Sequence, residues 1–257
     1  MTFWKLPVAI AVVLGSRVLG SPVGAPQVAS AQTTSHPTPQ PSPTIETHQR
    51  PPTPPRTQPL NGTRPGGGLN PEDSSCSIHN DSVQALIPVE NPVLTATAYP
   101  TFLFYIPFGA EEVQFGEFSL LTWPGEATRQ YQTRFTLPTS PGIVSVTLPE
   151  LPAYALAEDQ TYRWYFQLYC QAGDGAQPDL TLQGAVQRVA LTPERSQQIQ
   201  SASPAVWYDT LARVAHRLQT DPHDSQFQTI WRELLQLIEA EDAEAAAFVG
   251  PIQSLEE

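Results

Sequence analysis

Hydrophobic and polar residues alternate most cleanly over Tyr162–Cys170. Tyr162, Trp164, Phe166, Leu168 and Cys170 take one side of a period-two pattern, and Arg163, Tyr165, Gln167 and Tyr169 take the other. Successive side chains of a β-strand point to opposite faces, so this pattern predicts a half-buried antiparallel strand with the first set in the core. Shorter apolar runs predict further strands at Val83–Ile87, Val93–Thr97, Thr101–Ile106, Glu117–Trp123, Gln130–Leu137, Ile143–Leu148 and Leu180–Leu191. Turn residues separate them at Pro88, Asn91-Pro92, Pro107, Pro124-Gly125, Pro141-Gly142 and Gly173-Asp174-Gly175. Many short strands with regular turn signals predict a β-sandwich.

After Leu191 the period lengthens. Thr192-Pro193-Glu194 has the makings of a helix start, with Thr as N-cap and proline at the first position, and Ser203-Pro204 repeats the signal. Trp207, Leu211, Val214 and Leu218 form one apolar stripe, Asp221-Pro222 breaks it, and Phe227, Trp231, Leu234 and Ile238 form a second. Two amphipathic helices after a sheet predict a small α-helical cap. The expected domain is therefore mainly β, an immunoglobulin-like antiparallel β-sandwich over 75–191, followed by the cap over 192–239 and an acidic tail over 240–257 that frays. Glu158-Asp159-Gln160-Thr161-Tyr162 is similar to the corner that opens strand F of such domains, where a Tyr hydroxyl bonds back to the chain, and Trp164 would be the core anchor.

The N-terminal part reads differently. Lys5, the apolar run Leu6–Leu14 and Ala29-Ser30-Ala31 predict a signal peptide over 1–31, with cleavage after Ala31 or earlier near Gly20–Gly24. The run is about half the ~20 residues a spanning helix needs, so no transmembrane helix is expected after cleavage. Residues 32–74 follow as a disordered Pro-rich linker, because 11 prolines fall within 32–71 among Thr, Ser, Gln and Gly with hardly an apolar side chain. Asn61-Gly62-Thr63 fits an N-glycosylation acceptor. The expected location is periplasmic or secreted.

Charge narrows the partners. Residues 71–257 hold 8 of the 13 basic residues and 24 of the 25 acidic ones, and no lysine. This balance repels phosphate backbones and anionic lipid, so no nucleic-acid partner is expected. Five histidines are scattered, and no H-E-x-x-H, paired C-x-x-C, phosphate loop or G-x-S-x-G occurs. No catalytic residue, metal or cofactor is assigned. Glu111, Glu112 and Glu117 offer the acid pair of a glycoside hydrolase only as an alternative to solvated loop carboxylates. Asp174 to Asp179 suits a hairpin turn better than a calcium loop.

Four segments carry a resemblance: Thr101–Pro107, Pro141–Pro149, Tyr162–Cys170 and Val206–Leu211 occur in the order of motifs in the domain of unknown function family 928, found largely in cyanobacteria. The resemblance spans about 75–238 and implies an exported protein with no assigned activity. Members often carry a Cys before the first strand and one closing the aromatic strand, as Cys76 and Cys170 do here. Two cysteines in an exported chain predict one disulfide, Cys76–Cys170, which closes a 95-residue loop and stabilises by about 4–5 kcal/mol.

One face remains as a candidate binding surface. Tyr165 and Tyr169 project from the non-core side of their strand with Arg163 and Gln167, and Tyr105 is expected to join them from a neighbouring strand. These aromatics suit sugar or peptide binding, and equally suit burial beneath the C-terminal helices, whose Trp207 and Trp231 need a surface to cover; burial is the favoured of the two. The functional expectation is a non-catalytic binding or interaction module whose partner is a protein or glycan of the cell envelope. The alternative is a glycan-binding domain or carbohydrate-active enzyme using the acidic loop and exposed tyrosines.

Overall fold

The computed structural model describes residues 83–255, except 90, 91, 172, 174 and 175. The expected signal peptide, the Pro-rich linker and Cys76 lie outside the described residues. Among these residues the strands are β1 (Gln84–Ala85), β2 (Val93–Thr95), β3 (Thr101–Ile106), β4 (Phe115–Trp123), β5 (Arg129–Thr136), β6 (Gly142–Thr147), β7 (Thr161–Tyr169), β8 (Leu180–Arg188), β9 (Phe248–Pro251) and β10 (Gln253–Ser254). The helices are α1 (Pro193–Gln200), α2 (Trp207–Thr220) and α3 (Ser225–Gln236).

One layer has the order β1-β3-β6-β9 and the other β10-β5-β4-β7-β8-β2. Splitting β3 and β6 from β4, β7 and β8, with β5 extending the second layer beside β4, gives an immunoglobulin-like sandwich. The sheets are mixed rather than wholly antiparallel, because β2 runs parallel to β8 and β9 parallel to β6. Both parallel partners are short edge strands that local alternation could not orient.

The core lies between the layers. Phe102, Phe104, Ile106, Val144 and Val146 face Phe118, Leu120, Trp164, Phe166, Leu168 and Leu182, all of them buried. Phe104 stacks on Phe166 with centroids 4.1 Å apart and meets Trp164 edge-on at 5.5 Å. At ~25 cal/mol per Å², burying rings of roughly 150–250 Å² supplies about 4–6 kcal/mol of gross driving force each. Trp164 needs room, and Gly184, its partner across β7–β8, provides it: a Cβ there would lie 2.4 Å from the indole. The tyrosine corner is present, with the Ala157 N–H donating to the Tyr162 hydroxyl at 3.0 Å.

The helices begin where their capping residues stand. Thr192 Oγ1 accepts from the Arg195 N–H and starts α1. Asp224 accepts from the Phe227 N–H at 3.2 Å and starts α3, and that bond, with Arg217 beside it, holds the Asp224 carboxyl below its usual range. The cap is joined to the sandwich by polar bonds at the first turn of α2. Trp207 Nε1 donates to the Leu86 carbonyl at 2.8 Å, Trp164 Nε1 donates to the Tyr208 hydroxyl at 2.8 Å, and Asp209 accepts from the Ala96 N–H.

The tail does not fray as expected. β9 pairs with β6, β10 pairs with β5, and the final segment thus passes from one layer to the other. Phe248, Val249 and Ile252 pack against the core, and Phe248 meets Trp231 at 5.2 Å. These apolar residues follow an acidic, Ala-rich stretch whose composition masked them.

Candidate functional site

The register of the six-stranded layer determines which residues share the outer side of β7. Ser119 of β4 stands opposite Tyr165, Glu117 opposite Gln167, Phe115 opposite Tyr169, and Leu121 opposite Arg163. On the other flank, β8 places Gln183 opposite Tyr165 and Thr181 opposite Gln167. From β5 come Gln132 and Arg134, opposite Ser119 and Glu117. Arg163, Tyr165, Gln167 and Tyr169 are therefore brought together on one face, as their alternation predicts.

Tyr105 is not part of it. It lies on β3 in the other layer, paired with Gln84 and Ile143. That is the face the cap closes: Gln84, Leu103 and Ile143 on the same side are buried, and Gln84 Nε2 donates to the Ile238 carbonyl at 3.1 Å. The expected covering of Tyr165 and Tyr169 by the helices is likewise not met. α2 packs on β2 and β3 instead, since Trp207 and Tyr208 find their hydrogen-bond partners at the core edge.

Two ladders of rings and guanidinium groups stand on the outer face. At one end Arg163 lies over both Trp123 and Tyr165, 5.2 Å from each centroid. Its Nη1 reaches Glu126 at 3.3 Å, and Nη2 donates to Gln183 at 2.7 Å. Tyr165 donates its hydroxyl to the same Glu126 oxygen at 2.8 Å. Arg163 is only 7% exposed, so an arginine on the non-core side is buried by its own neighbours. The turn at Pro124-Gly125 brings Glu126 back over the sheet, with Glu126 itself in the left-handed region at φ 52°. Burial, and then the bond to Glu126, push the Tyr165 hydroxyl up to about 12.

At the other end Phe115 and Tyr169 stack at 4.5 Å, and Arg134 lies 5.3 Å over Phe115. Arg134 pairs with Glu117 at 3.5 Å. Burial, and then the Glu117 charge, raise the Tyr169 hydroxyl above its ordinary value. Between Tyr165 and Tyr169 lies the row of Gln167, with Thr181 on one side and the Glu117–Arg134 pair on the other, while Ser119 and Gln183 flank Tyr165 itself. Gln167 Nε2 donates to Thr181 Oγ1, and the Tyr169 hydroxyl donates to Gln167 Oε1, both at 3.4 Å.

Trp123, Glu126, Gln183, Phe115 and Arg134 were not singled out from the sequence. Glu126 enters the face through the turn after β4 and the others through strand register, although the odd-numbered spacing of Phe115, Glu117, Ser119, Leu121 and Trp123 is a signal in the sequence.

The remaining candidates separate. Glu111 and Glu112 stand on an exposed 3-10 turn over Ala110–Glu112, whereas Glu117 belongs to the sheet face and its arginine. Asp179 accepts from the Cys170 N–H at 2.9 Å, which closes the β7–β8 connection, while Asp174 lies outside the described residues. Cys170 is half-buried against the core and is not a free thiol.

A groove of about 670 Å³ lies between α2, α3 and the segment entering β9, lined among others by Leu218, Trp231, Arg232, Glu244 and Phe248. No candidate site residue lines it. Among the described residues, no helix is long and apolar enough to cross a membrane, and no three His, Cys, Asp or Glu side chains cluster to hold a metal. A family model described as Domain of Unknown Function (DUF928) matches residues 61–248. No curated protein matches the chain.

Proposed function

We propose, from the premise that this chain belongs to the DUF928 family and that its description assigns no activity, that the domain is an exported, non-catalytic binding module of the cell envelope. It works outside the cytoplasm, periplasmic or secreted, on a Pro-rich linker, and meets its partner with the outer face of the six-stranded sheet. The observation that carries this reading is the pair of ring-and-arginine ladders around Arg163 and Arg134. They hold Trp, Tyr and Arg side chains, the types enriched where binding energy concentrates, rigidly on one face. Rigid side chains lose little entropy on binding. The signal-peptide pattern supports export to an oxidising compartment, where the expected Cys76–Cys170 pairing would form. The carboxylates do not suggest catalysis, because those on the face are paired with arginine.

The test is cosedimentation of the full chain with isolated cell envelopes. Thr181→Arg places a bulky side chain in the half-exposed Gln167 row and is expected to abolish sedimentation with the fold intact by circular dichroism. Gln219→Arg, in the helical groove, is expected to leave it unchanged. A Thr181→Arg chain that sediments as the wild type does, or a wild type that stays in solution, refutes the proposal.

A further inference from the structure

We infer that the occupant of the outer face is an uncharged polysaccharide, an inference that rests on the contact-face reading above and names its ligand. Charge is the first argument. Arg163 is neutralised by Glu126 and Arg134 by Glu117, and Arg129, in register with Leu121, donates to Gln132, so the row between Tyr165 and Tyr169 offers an anionic ligand no unpaired cation. The chain over 71–257 holds 24 acidic residues against 8 basic ones, a balance that repels uronic or sulfated chains.

Apolar content is the second argument. A stable protein–protein interface has a fully buried apolar centre. Here the large exposed hydrophobic residues are Val89, Leu151, Leu191, Leu237 and Leu255, and none of them is on this face. Its polar groups are Ser119 and Gln183 beside Tyr165, and Gln167 and Thr181 in the next row, beside the Glu117–Arg134 pair. Hydroxyl and amide groups each donate and accept, and so does every sugar hydroxyl, which makes this set a match for a polyhydroxyl surface.

Spacing is the third argument. Tyr165 and Tyr169 are four residues apart on β7, or ~13 Å at ~3.4 Å per residue. The aromatic groups thus bracket the Gln167–Thr181 row at two ends, giving apolar edges for the C–H groups of the sugar rings and a hydrogen-bonding strip between them.

The test is native electrophoresis of the full chain in gels containing a soluble β-glucan, mannan, galactan or xylan, with polygalacturonate and dextran sulfate as charged comparisons. At least one uncharged polymer is expected to retard the chain and neither charged polymer is. Gln167→Ala and Tyr169→Ala, each shown to be folded by near-ultraviolet circular dichroism, are expected to weaken retardation roughly tenfold. Absence of retardation by every uncharged polymer, stronger retardation by a charged one, or wild-type behaviour of both variants overturns the inference. If Thr181-dependent sedimentation with envelopes persists after any of these results, the glycan assignment falls and the contact face stands. If that dependence is also missing, the contact face falls with it.

Discussion

Tyr208→Phe is the sharpest probe of how the helical cap is joined to the sandwich. Trp164 is 0% exposed, and its Nε1–H donates to the Tyr208 hydroxyl at 2.8 Å. Tyr208 is itself fully buried, and burial raises its hydroxyl far above the ordinary range, so the group stays protonated at any physiological pH. Phenylalanine preserves the ring contact with Phe102, 5.1 Å between centroids, and removes only the acceptor. The indole N–H is then stranded in the core without water. Losing the bond and leaving its donor unsatisfied costs about 1–3 kcal/mol. For a domain of 150–250 residues, that lowers the melting temperature by about 2–12 °C. Urea denaturation followed by far-ultraviolet circular dichroism measures the free energy, and a cycle with Trp164→Phe isolates the pair. A midpoint indistinguishable from wild type, or a double variant whose effect is the plain sum of the single ones, refutes the claim that this bond secures α2 to the core.

Four further outcomes follow from the packing. Gly184→Ala forces a methyl group to within 2.4 Å of the Trp164 indole, and equilibrium unfolding should show a loss of about 1–3 kcal/mol from overpacking. Glu126→Ala leaves the buried Arg163 without its carboxylate and Tyr165 without its acceptor; the expected loss is about 1–3 kcal/mol, and Arg163→Met in the same background should recover part of it. The Tyr165 hydroxyl binds its proton more tightly folded than unfolded, with a value raised to about 12 from 10.0. The stabilisation this represents is fully present below the unfolded value and is lost as pH rises through the folded one, so stability should fall between these two values and fall less steeply in Tyr165→Phe. Phe248→Ala removes the contact that fastens the final strands to Trp231; a loss of roughly 1–3 kcal/mol, with proteolysis confined to the C-terminal segment, is the expected signature.

What could be read from the chain was the local alternation, and what could not was register. Tyr162, Trp164, Phe166 and Leu168 declare their burial through period two alone, and the stripes of α2 and α3 do so through period 3.6. Tyr105 shows the limit, because alternation along β3 separates inward from outward positions without saying which layer the strand joins. The burial of Arg163 is invisible for a related reason: Trp123, Glu126 and Gln183, which enclose it, lie 20 to 40 positions away and meet it only after β4, β7 and β8 are aligned. The same alignment changes the meaning of the acidic composition. Summed over the domain, the charge is net negative, but the sum does not describe the face, where Arg163 and Arg134 each have a carboxylate of their own. The carboxylates on the face, Glu117 and Glu126, are thus matched, whereas the chain as a whole has a surplus of acid. That balance repels anionic ligands at a distance and leaves contact to amides, hydroxyls and rings, so discrimination against anions is predicted to weaken with ionic strength while affinity for an uncharged ligand does not change.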